Sequence, residues 1–218
     1  MNFSITFRRI ALLCACLAFT GCLSRPALVQ HTYALQSPPS NVKSNRGDAV
    51  LSVEACRISP LFAGRSLVYR TGPDVYESDP YANFLVTPDR VMDIPIRGYL
   101  RNSGIFKDVL EPGSSLKPDQ VVEIHVGEFY GDLRKNVPPA AVLSLRFTLI
   151  SAEGGNGQPL FQKDYSQRCP IGLNTADAVV GGWNQALGMI MKQVAIDLRK
   201  MDRSPLTNLH PPTQAKTP

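Results

Sequence analysis

The stretch Val142-Leu-Ser-Leu-Arg-Phe-Thr-Leu-Ile150 decides the fold class, because apolar and polar side chains alternate along it. A period of two places the apolar side chains on one face of an extended chain and the polar ones on the other. The pattern therefore predicts a β-strand that is buried on one face and meets water on the opposite face.

Two similar strands are predicted on either side of this stretch, over Val121–Tyr130 and Leu160–Arg168. The segment Glu153-Gly-Gly-Asn-Gly157 is typical of a hairpin loop before the last strand, because glycine adopts positive φ at no steric cost. This loop is expected to join the last two strands as a hairpin.

Further strands are predicted nearer the N-terminus. Alternation over Val50–Ile58 indicates one of them. The turn-forming tetrad Thr71-Gly-Pro-Asp74 lies between two apolar runs and predicts a hairpin over Ser66–Tyr76.

The first of two predicted helices begins at Thr87-Pro-Asp89, which offers a capping hydroxyl, a proline in the first turn and an acidic side chain that suits the helix dipole. Pro95 lies within this helix. Because proline lacks the N–H group and crowds the preceding turn, we expect a kink or a break between Asp93 and Ile96.

The second predicted helix carries an apolar stripe, with Asn174 and Asp177 as capping candidates. Its apolar residues recur at steps of three and four: Val180, Trp183, Leu187, Ile190, Val194, Leu198 and Met201. Together the elements predict an α+β fold, with a mostly antiparallel sheet covered on one face by two helices.

The N-terminus has the pattern of a signal peptide. Arg8 and Arg9 precede the 11-residue apolar run Ile10–Thr20, and Gly21-Cys22 follows it. A membrane-spanning helix needs about 20 apolar residues, so the run is too short to cross a bilayer.

The segment Phe19-Thr-Gly-Cys22 resembles the bacterial lipobox, although the family pattern usually has an aliphatic residue where Phe19 stands. Cys22 is then the lipid-attachment residue, bearing acyl chains such as palmitate, and the signal peptide is cleaved before it. The alternative is an ordinary secretory cleavage site with an incidental cysteine. Since Leu23 rather than aspartate follows the cysteine, we expect a lipid-anchored protein on the periplasmic face of the outer membrane.

The domain organisation follows from these limits and from composition. Residues 1–21 form the signal peptide, and residues 22–47, rich in Ser, Pro, Asn and Gln, are predicted to be the lipidated N-terminus and a flexible tether. Residues 48–202 form the folded domain. Residues 203–218 contain four prolines and are predicted to be a disordered tail.

Charge argues against binding to nucleic acid. The 218-residue chain has 23 basic and 18 acidic side chains, and removal of residues 1–21 leaves 21 basic side chains and a formal charge of +3. No basic run longer than Arg134-Lys135 follows the cleavage site, so no stripe is available for a phosphate backbone.

Catalytic motifs are not evident. The sequence has no Gly-x-Ser-x-Gly, His-Glu-x-x-His, Cys-x-x-Cys or Walker motif, and its histidines, His31, His125 and His210, lie far apart. We expect a protein that is not an enzyme and that needs neither a metal nor a cofactor. A periplasmic hydrolase with an unfamiliar motif is the remaining enzymatic alternative.

Cys56 and Cys169 are the two thiols left after processing and acylation, and the expected compartment is oxidising. They can form a disulfide if their strands are neighbours. Two separate buried thiols are an equal alternative.

A turn-rich segment concentrates aromatic side chains and is a candidate partner interface, formed by Tyr76, Asp79, Tyr81 and Phe84. The alternative, which we favour, is that these residues pack over the first helix as ordinary core or edge residues.

The chain also resembles the ABC-type transport auxiliary lipoprotein family over about residues 30–200. The resemblance lies in the order and spacing of several segments: Leu51-Ser-Val53, Pro60–Gly72, Val75–Tyr81, Ser103–Phe106, Val122–Asp132 and Trp183. Members are similar to the lipoprotein subunit of paraquat-inducible and other mammalian-cell-entry-type lipid transport systems.

The resemblance implies a non-catalytic component that helps to move lipids or hydrophobic compounds across the cell envelope. Its implied partners are the membrane, reached through the N-terminal lipid, and the periplasmic lipid-binding subunit of the transport system. Self-association into a homo-oligomer is also consistent with the resemblance. The alternative is a structural or assembly lipoprotein of the outer membrane with no transport role.

Overall fold

A computed structural model describes residues 29–40, 47–153 and 159–202. The signal peptide, Cys22, most of the glycine-rich loop and the C-terminal tail lie outside the described residues. The described strands are β1 (His31–Tyr33), β2 (Val50–Val53), β3 (Arg57–Ile58), β4 (Ser66–Arg70), β5 (Tyr76–Phe84), β6 (Asp108–Val109), β7 (Gln120–Asp132), β8 (Ala140–Ser151) and β9 (Phe161–Pro170). The α-helices are α1 (Pro88–Asn102) and α2 (Ala176–Asp202), and a short 3-10 helix covers Pro60–Phe62.

The predicted α+β class is confirmed, and the described residues form one mixed sheet of nine strands. The long ladders, β7 with β8 and β8 with β9, are antiparallel, as the sequence predicted. The other edge of β7 is shared by β2, β3 and β4, which pair with it one after another in parallel. The hairpin of β4 and β5 is antiparallel, and β1 adds to β5 in parallel.

The sheet has a helix-covered inner face and an outer face. Val122, Ile124 and Val126 of β7 belong to the buried core that includes both helices. The register of β7 against β8 shifts between Val126 and Glu128, which marks a β-bulge.

Helix α1 is continuous over Pro88–Asn102, so the break expected near Pro95 does not occur. Pro95 is buried, and core packing of the surrounding helix offsets the hydrogen bond that proline cannot make. Thr87 is the N-cap residue, but its hydroxyl makes no capping hydrogen bond, contrary to the expectation.

A buried ion pair fixes α1 to the sheet. Arg97 donates to the carboxylate of Asp93 at 2.8 Å and to the carbonyl oxygens of Val53 and Leu110 at 3.0 Å each. These contacts tie the middle of the helix to the ends of β2 and β6. No sequence pattern indicated this contact.

Helix α2 buries the predicted apolar stripe, from Val180 to Leu198, against the sheet. Its capping residue is Thr175 rather than Asn174 or Asp177, because the Thr175 hydroxyl accepts from the backbone N–H of Ala178 at 3.3 Å. Gly182 permits close approach to the sheet, since a Cβ atom there would lie 2.5 Å from the Cβ of Ala141.

The prediction of a flexible tether over 22–47 is wrong for residues 29–40. Strand β1 pairs with β5, and Leu35 is buried in the core. Beyond it, the backbone N–H of Gln36 donates to Asn184 of α2 at 2.8 Å, and the Ser37 hydroxyl donates to the carbonyl of Pro95 in α1 at 3.2 Å. The polar composition of this segment hid the backbone pairing and the single buried leucine that hold it in place.

Within the described residues, no helix combines the length and the apolar character needed to cross a membrane.

Candidate interaction surface

The structure separates the four residues predicted as a partner interface. Phe84 is only 2% exposed, and its ring lies 5.1 Å from Phe129 and 5.8 Å from Trp183. Phe84 is therefore a core residue that packs on α2, not on α1 as expected. Asp79 accepts hydrogen bonds from the Tyr69 hydroxyl and from the backbone N–H groups of Tyr81 and Ala82, so it orders its own strand.

Tyr76 and Tyr81 remain exposed, at 39% and 47% of their surfaces. They stand at different places on β5, because five residues of strand span about 16 Å. Tyr76 lies at the hairpin end, whereas Tyr81 lies near the pairing of β5 with β1. The two tyrosines do not form one surface.

Tyr76 belongs to a group of three rings on the outer face, which we call the outer aromatic cluster: Phe62, Tyr76 and Tyr130. The rings of Phe62 and Tyr130 stack with centroids 5.7 Å apart, and Tyr76 meets Tyr130 edge-on at 5.5 Å. Phe62 and Tyr130 are buried, so they form a fixed base for the exposed Tyr76.

Arg70 covers one side of the exposed ring. Its guanidinium carbon lies 5.7 Å from the centroid of Tyr76, within the range of a cation–π interaction. Two backbone carbonyls of the hairpin turn, those of Gly72 and Pro73, accept from its Nε at 3.3 and 3.1 Å. Among the described residues Arg70 forms no salt bridge, so its charge remains available to a partner.

A second arginine group lies at the C-terminal end of β7, the strand that carries Tyr130. Asp132 is fully buried and accepts from Arg134 at 2.7 and 2.8 Å and from Arg168 at 2.6 Å. The Arg134 hydrogen bonds are the main cause that holds the pKa of Asp132 well below its usual range, against the opposing effect of burial. Two cations thus share one carboxylate.

Exposed aliphatic residues complete the surface. Leu61 precedes Phe62 in the 3-10 helix, and Val75 precedes Tyr76 at the start of β5; both are largely exposed. Tyrosine and arginine side chains around apolar contacts are the composition of protein-binding hot spots. The arrangement can therefore bind a partner that brings an apolar side chain and a carboxylate.

Of the two alternatives for Cys56 and Cys169, the structure has the second: they do not form the possible disulfide and are free buried thiols on distant parts of the sheet. Cys56 precedes β3, which pairs with β7 at His125, whereas Cys169 lies on β9 opposite the part of β8 that pairs with Gly131. Six residues along β7 correspond to about 20 Å, far beyond disulfide reach. Burial raises the pKa of both thiols, so neither is activated as a nucleophile.

Across the described ranges, no group of three or more His, Cys, Asp or Glu side chains is arranged to hold a metal ion. His125 lies on the outer face of β7 beside Arg146 of β8, in a shallow depression of about 370 Å³.

The sequence pattern indicates Tyr76 as a surface residue but not Arg70, Phe62 and Tyr130. Arg70 was within reach, because it pairs directly with Tyr76 across the predicted hairpin. Phe62 and Tyr130 could not be found from the sequence. Their rings meet only because the strands β3 and β4 pair in parallel with β7, and no local sequence pattern predicts that pairing.

The chain matches no family model and no curated protein. It is similar in fold to a solved DUF330 protein from Xanthomonas campestris, with a TM-score of 0.67, 16% identity, and coverage of 79% of this chain and 98% of that one. A solved uncharacterized protein has a TM-score of 0.59 at 19% identity, covering 78% of this chain and 99% of that one. At these identities the likeness shows a shared fold and extends over nearly the full length of both relatives.

Proposed function

We propose that this chain is a non-catalytic auxiliary lipoprotein of an ABC, mammalian-cell-entry-type transport system that moves lipids or hydrophobic compounds across the cell envelope. The observation that carries the proposal is the outer aromatic cluster with Arg70, an exposed recognition surface built on a rigid base. The fold shared with the DUF330 protein is consistent with it. The resemblance to the auxiliary lipoprotein family supplies the partner, which is the periplasmic lipid-binding subunit.

The anchor geometry supports a position close to the membrane. Only eight residues lie between Cys22 and His31, the first residue of β1, so nine Cα–Cα steps join the two. A chain of that length spans at most about 32 Å when fully extended. If Cys22 carries the lipid, the domain is held within that distance of the outer membrane rather than at the end of a long flexible tether.

The partner interaction is tested with full-length protein produced together with the candidate transport subunits. Tyr76→Ala is compared with Tyr81→Ala, because both tyrosines are exposed on the same strand. We expect Tyr76→Ala to reduce co-purification of the lipid-binding subunit at least tenfold, since the anchor ring is lost. Tyr81→Ala should leave co-purification unchanged.

Equal binding by wild type and both variants would contradict the proposed surface. Recovery of outer-membrane assembly proteins without any transport subunit would favour the structural alternative instead. Unfolding curves of both variants exclude misfolding as the cause of lost binding.

The anchor is tested separately by membrane fractionation. Wild-type protein should be found with the outer membrane, and Cys22→Ala should be lost from it, because no lipid can be attached. A Cys22→Ala protein that remained in the outer membrane would contradict the lipoprotein proposal without affecting the interaction test.

A further inference from the structure

Strand β9 forms a long, regular edge of the sheet. It pairs with β8 over ten consecutive residues without a register shift. Within the described part of the chain, no other strand pairs with β9. Its second row of backbone hydrogen-bonding groups is therefore open along the full strand.

The hydrogen-bond pattern identifies which residues have these open groups. The backbone N–H of Ile171 donates to the carbonyl of Pro139 at 3.0 Å, so residues 171 and 139 are a hydrogen-bonded pair. Such pairs alternate along an antiparallel ladder, which directs the odd-numbered residues of β9 toward β8. The backbone groups that point outward belong to Gln162, Asp164, Ser166 and Arg168.

Two of the usual protections of an edge strand, a bulge and an interior proline, are missing from β9. It has no bulge between Phe161 and Pro170, and proline occurs only at its last residue. The charged side chains of β9 have partners within the chain: Lys163 donates to Asp197 of α2 at 2.8 Å, Asp164 binds Arg146, and Arg168 binds Asp132.

We propose that β9 pairs with β9 of a second copy of this chain, antiparallel and with Ser166 on the two-fold axis. In this register Asp164 lies opposite Arg168 of the second copy, and the same pair recurs on the other side of the axis. Opposite charges on directly facing residues stabilise an antiparallel pair.

Neighbouring registers lack this complementarity. A shift by two residues in one direction moves the axis to Tyr165 and places Asp164 opposite Ser166, with Arg168 opposite Gln162. A further shift by two residues in the same direction places Asp164 opposite Asp164 of the second copy, which brings like charges together. A shift in the other direction leaves Pro170, which has no N–H group, opposite Asp164 and shortens the ladder.

The consequence is a continuous sheet with a shared outer face. On that face of each chain Asp132, two residues after Tyr130 of the outer aromatic cluster, binds Arg134 and Arg168, and Asp164 binds Arg146. Pairing through β9 would therefore give the dimer two copies of the recognition surface on one side. The inference does not depend on the identity of the transport partner.

The register is tested by cysteine cross-linking of full-length protein in cells, read on non-reducing gels. Ser166→Cys should give a covalent homodimer, because residues facing each other on the two-fold axis have Cα atoms about 5.5 Å apart. Gln162→Cys is the matched control, since it is exposed on the same face of the same strand but lies far from its counterpart. We expect at least tenfold more dimer from Ser166→Cys.

The charge pair is tested in the Ser166→Cys background. Asp164→Arg should lower the dimer yield severalfold, and adding Arg168→Asp should restore it. Restoration is informative because within one chain Asp164 pairs with Arg146 and Arg168 pairs with Asp132, so the double change repairs no internal contact.

Three results would overturn the inference. They are the absence of a Ser166→Cys homodimer at normal protein levels, an equal homodimer from Gln162→Cys, and a cross-linked product whose mass shows a different protein. Failure of the double charge reversal to restore the yield, in a protein whose unfolding curve matches that of Ser166→Cys, would contradict the proposed register.

Discussion

Phe129 and Tyr130 are neighbours on β7, yet they enter two different aromatic clusters on opposite faces of the sheet. Phe129 packs with Phe84 and Trp183 beneath α2, and we call these three residues the inner aromatic cluster. Each of its members is at most 2% exposed. Tyr130 joins the outer aromatic cluster, in which Tyr76 is 39% exposed.

The two clusters differ in what completes them. In the inner cluster, Trp183 donates its indole N–H to the carbonyls of Tyr130 and Val142 at 3.3 and 3.1 Å, so its polar group is satisfied within the fold. In the outer cluster, an exposed ring and an arginine without a carboxylate partner remain at the surface. The rings that α2 buries therefore stabilise the fold, whereas the rings on the outer face remain accessible to a partner.

The largest expected effect comes from breaking the inner cluster with Trp183→Ala. Loss of a fully buried tryptophan removes apolar contacts, leaves a cavity and takes away the donor shared by β7 and β8, so we expect a loss of about 4 kcal/mol in the free energy of unfolding. Urea unfolding followed by circular dichroism measures it. A change below about 1 kcal/mol would contradict the stabilising role of the inner cluster.

The second largest loss of stability is expected at Asp132, the polar neighbour of the outer aromatic cluster. Asp132→Asn removes the charge that Arg134 and Arg168 share, and we expect a loss of about 2 kcal/mol at pH 7, because hydrogen bonds to charged groups are stronger than neutral ones.

The effect of Asp132 depends on pH in a defined direction. Its pKa is lowered in the folded state, so its contribution is complete above the ordinary aspartate pKa near 4 and declines as the pH falls toward the folded value. The difference in unfolding free energy between wild type and Asp132→Asn should therefore narrow below pH 4. A difference that stayed constant from pH 7 to pH 3 would show that the charge is not the cause.

The sequence predicted the strands and the helix that carry the two clusters, but it did not predict which aromatic rings meet in each cluster. Alternation identified β7, β8 and β9, and the spacing of three and four identified the buried face of α2, because these patterns are local. The bulge between Val126 and Glu128 and the parallel pairing of β2, β3 and β4 depend on contacts distant in sequence. Phe84 was misplaced for the same reason, since its burial depends on Trp183, about one hundred residues later in the chain.

A smaller effect is expected on stability from Tyr76→Ala. Its ring is partly exposed, so truncation should cost no more than about 1 kcal/mol in the free energy of unfolding, well below the cost of Trp183→Ala. Urea unfolding of Tyr76→Ala beside Tyr81→Ala, which truncates a somewhat more exposed tyrosine on the same strand, measures the difference. A loss as large as that of Trp183→Ala would make the outer cluster a second core rather than a recognition surface.

The smallest expected effect tests whether packing alone holds the inner face together. Cys56 and Cys169 are both buried and about 20 Å apart along β7, so no covalent bond between them contributes to stability. Addition of a reductant should leave the urea midpoint of the wild-type protein unchanged, and thiol titration of unfolded, unreduced protein with acylated Cys22 should give two reactive thiols per chain. A closed loop of 113 residues would instead add roughly 4–5 kcal/mol in the chain-entropy model, which is as large as the expected effect of Trp183→Ala. A lower urea midpoint in reductant, together with fewer than two reactive thiols per chain, would therefore show that a disulfide supplies much of the stability assigned here to the aromatic rings of the inner face.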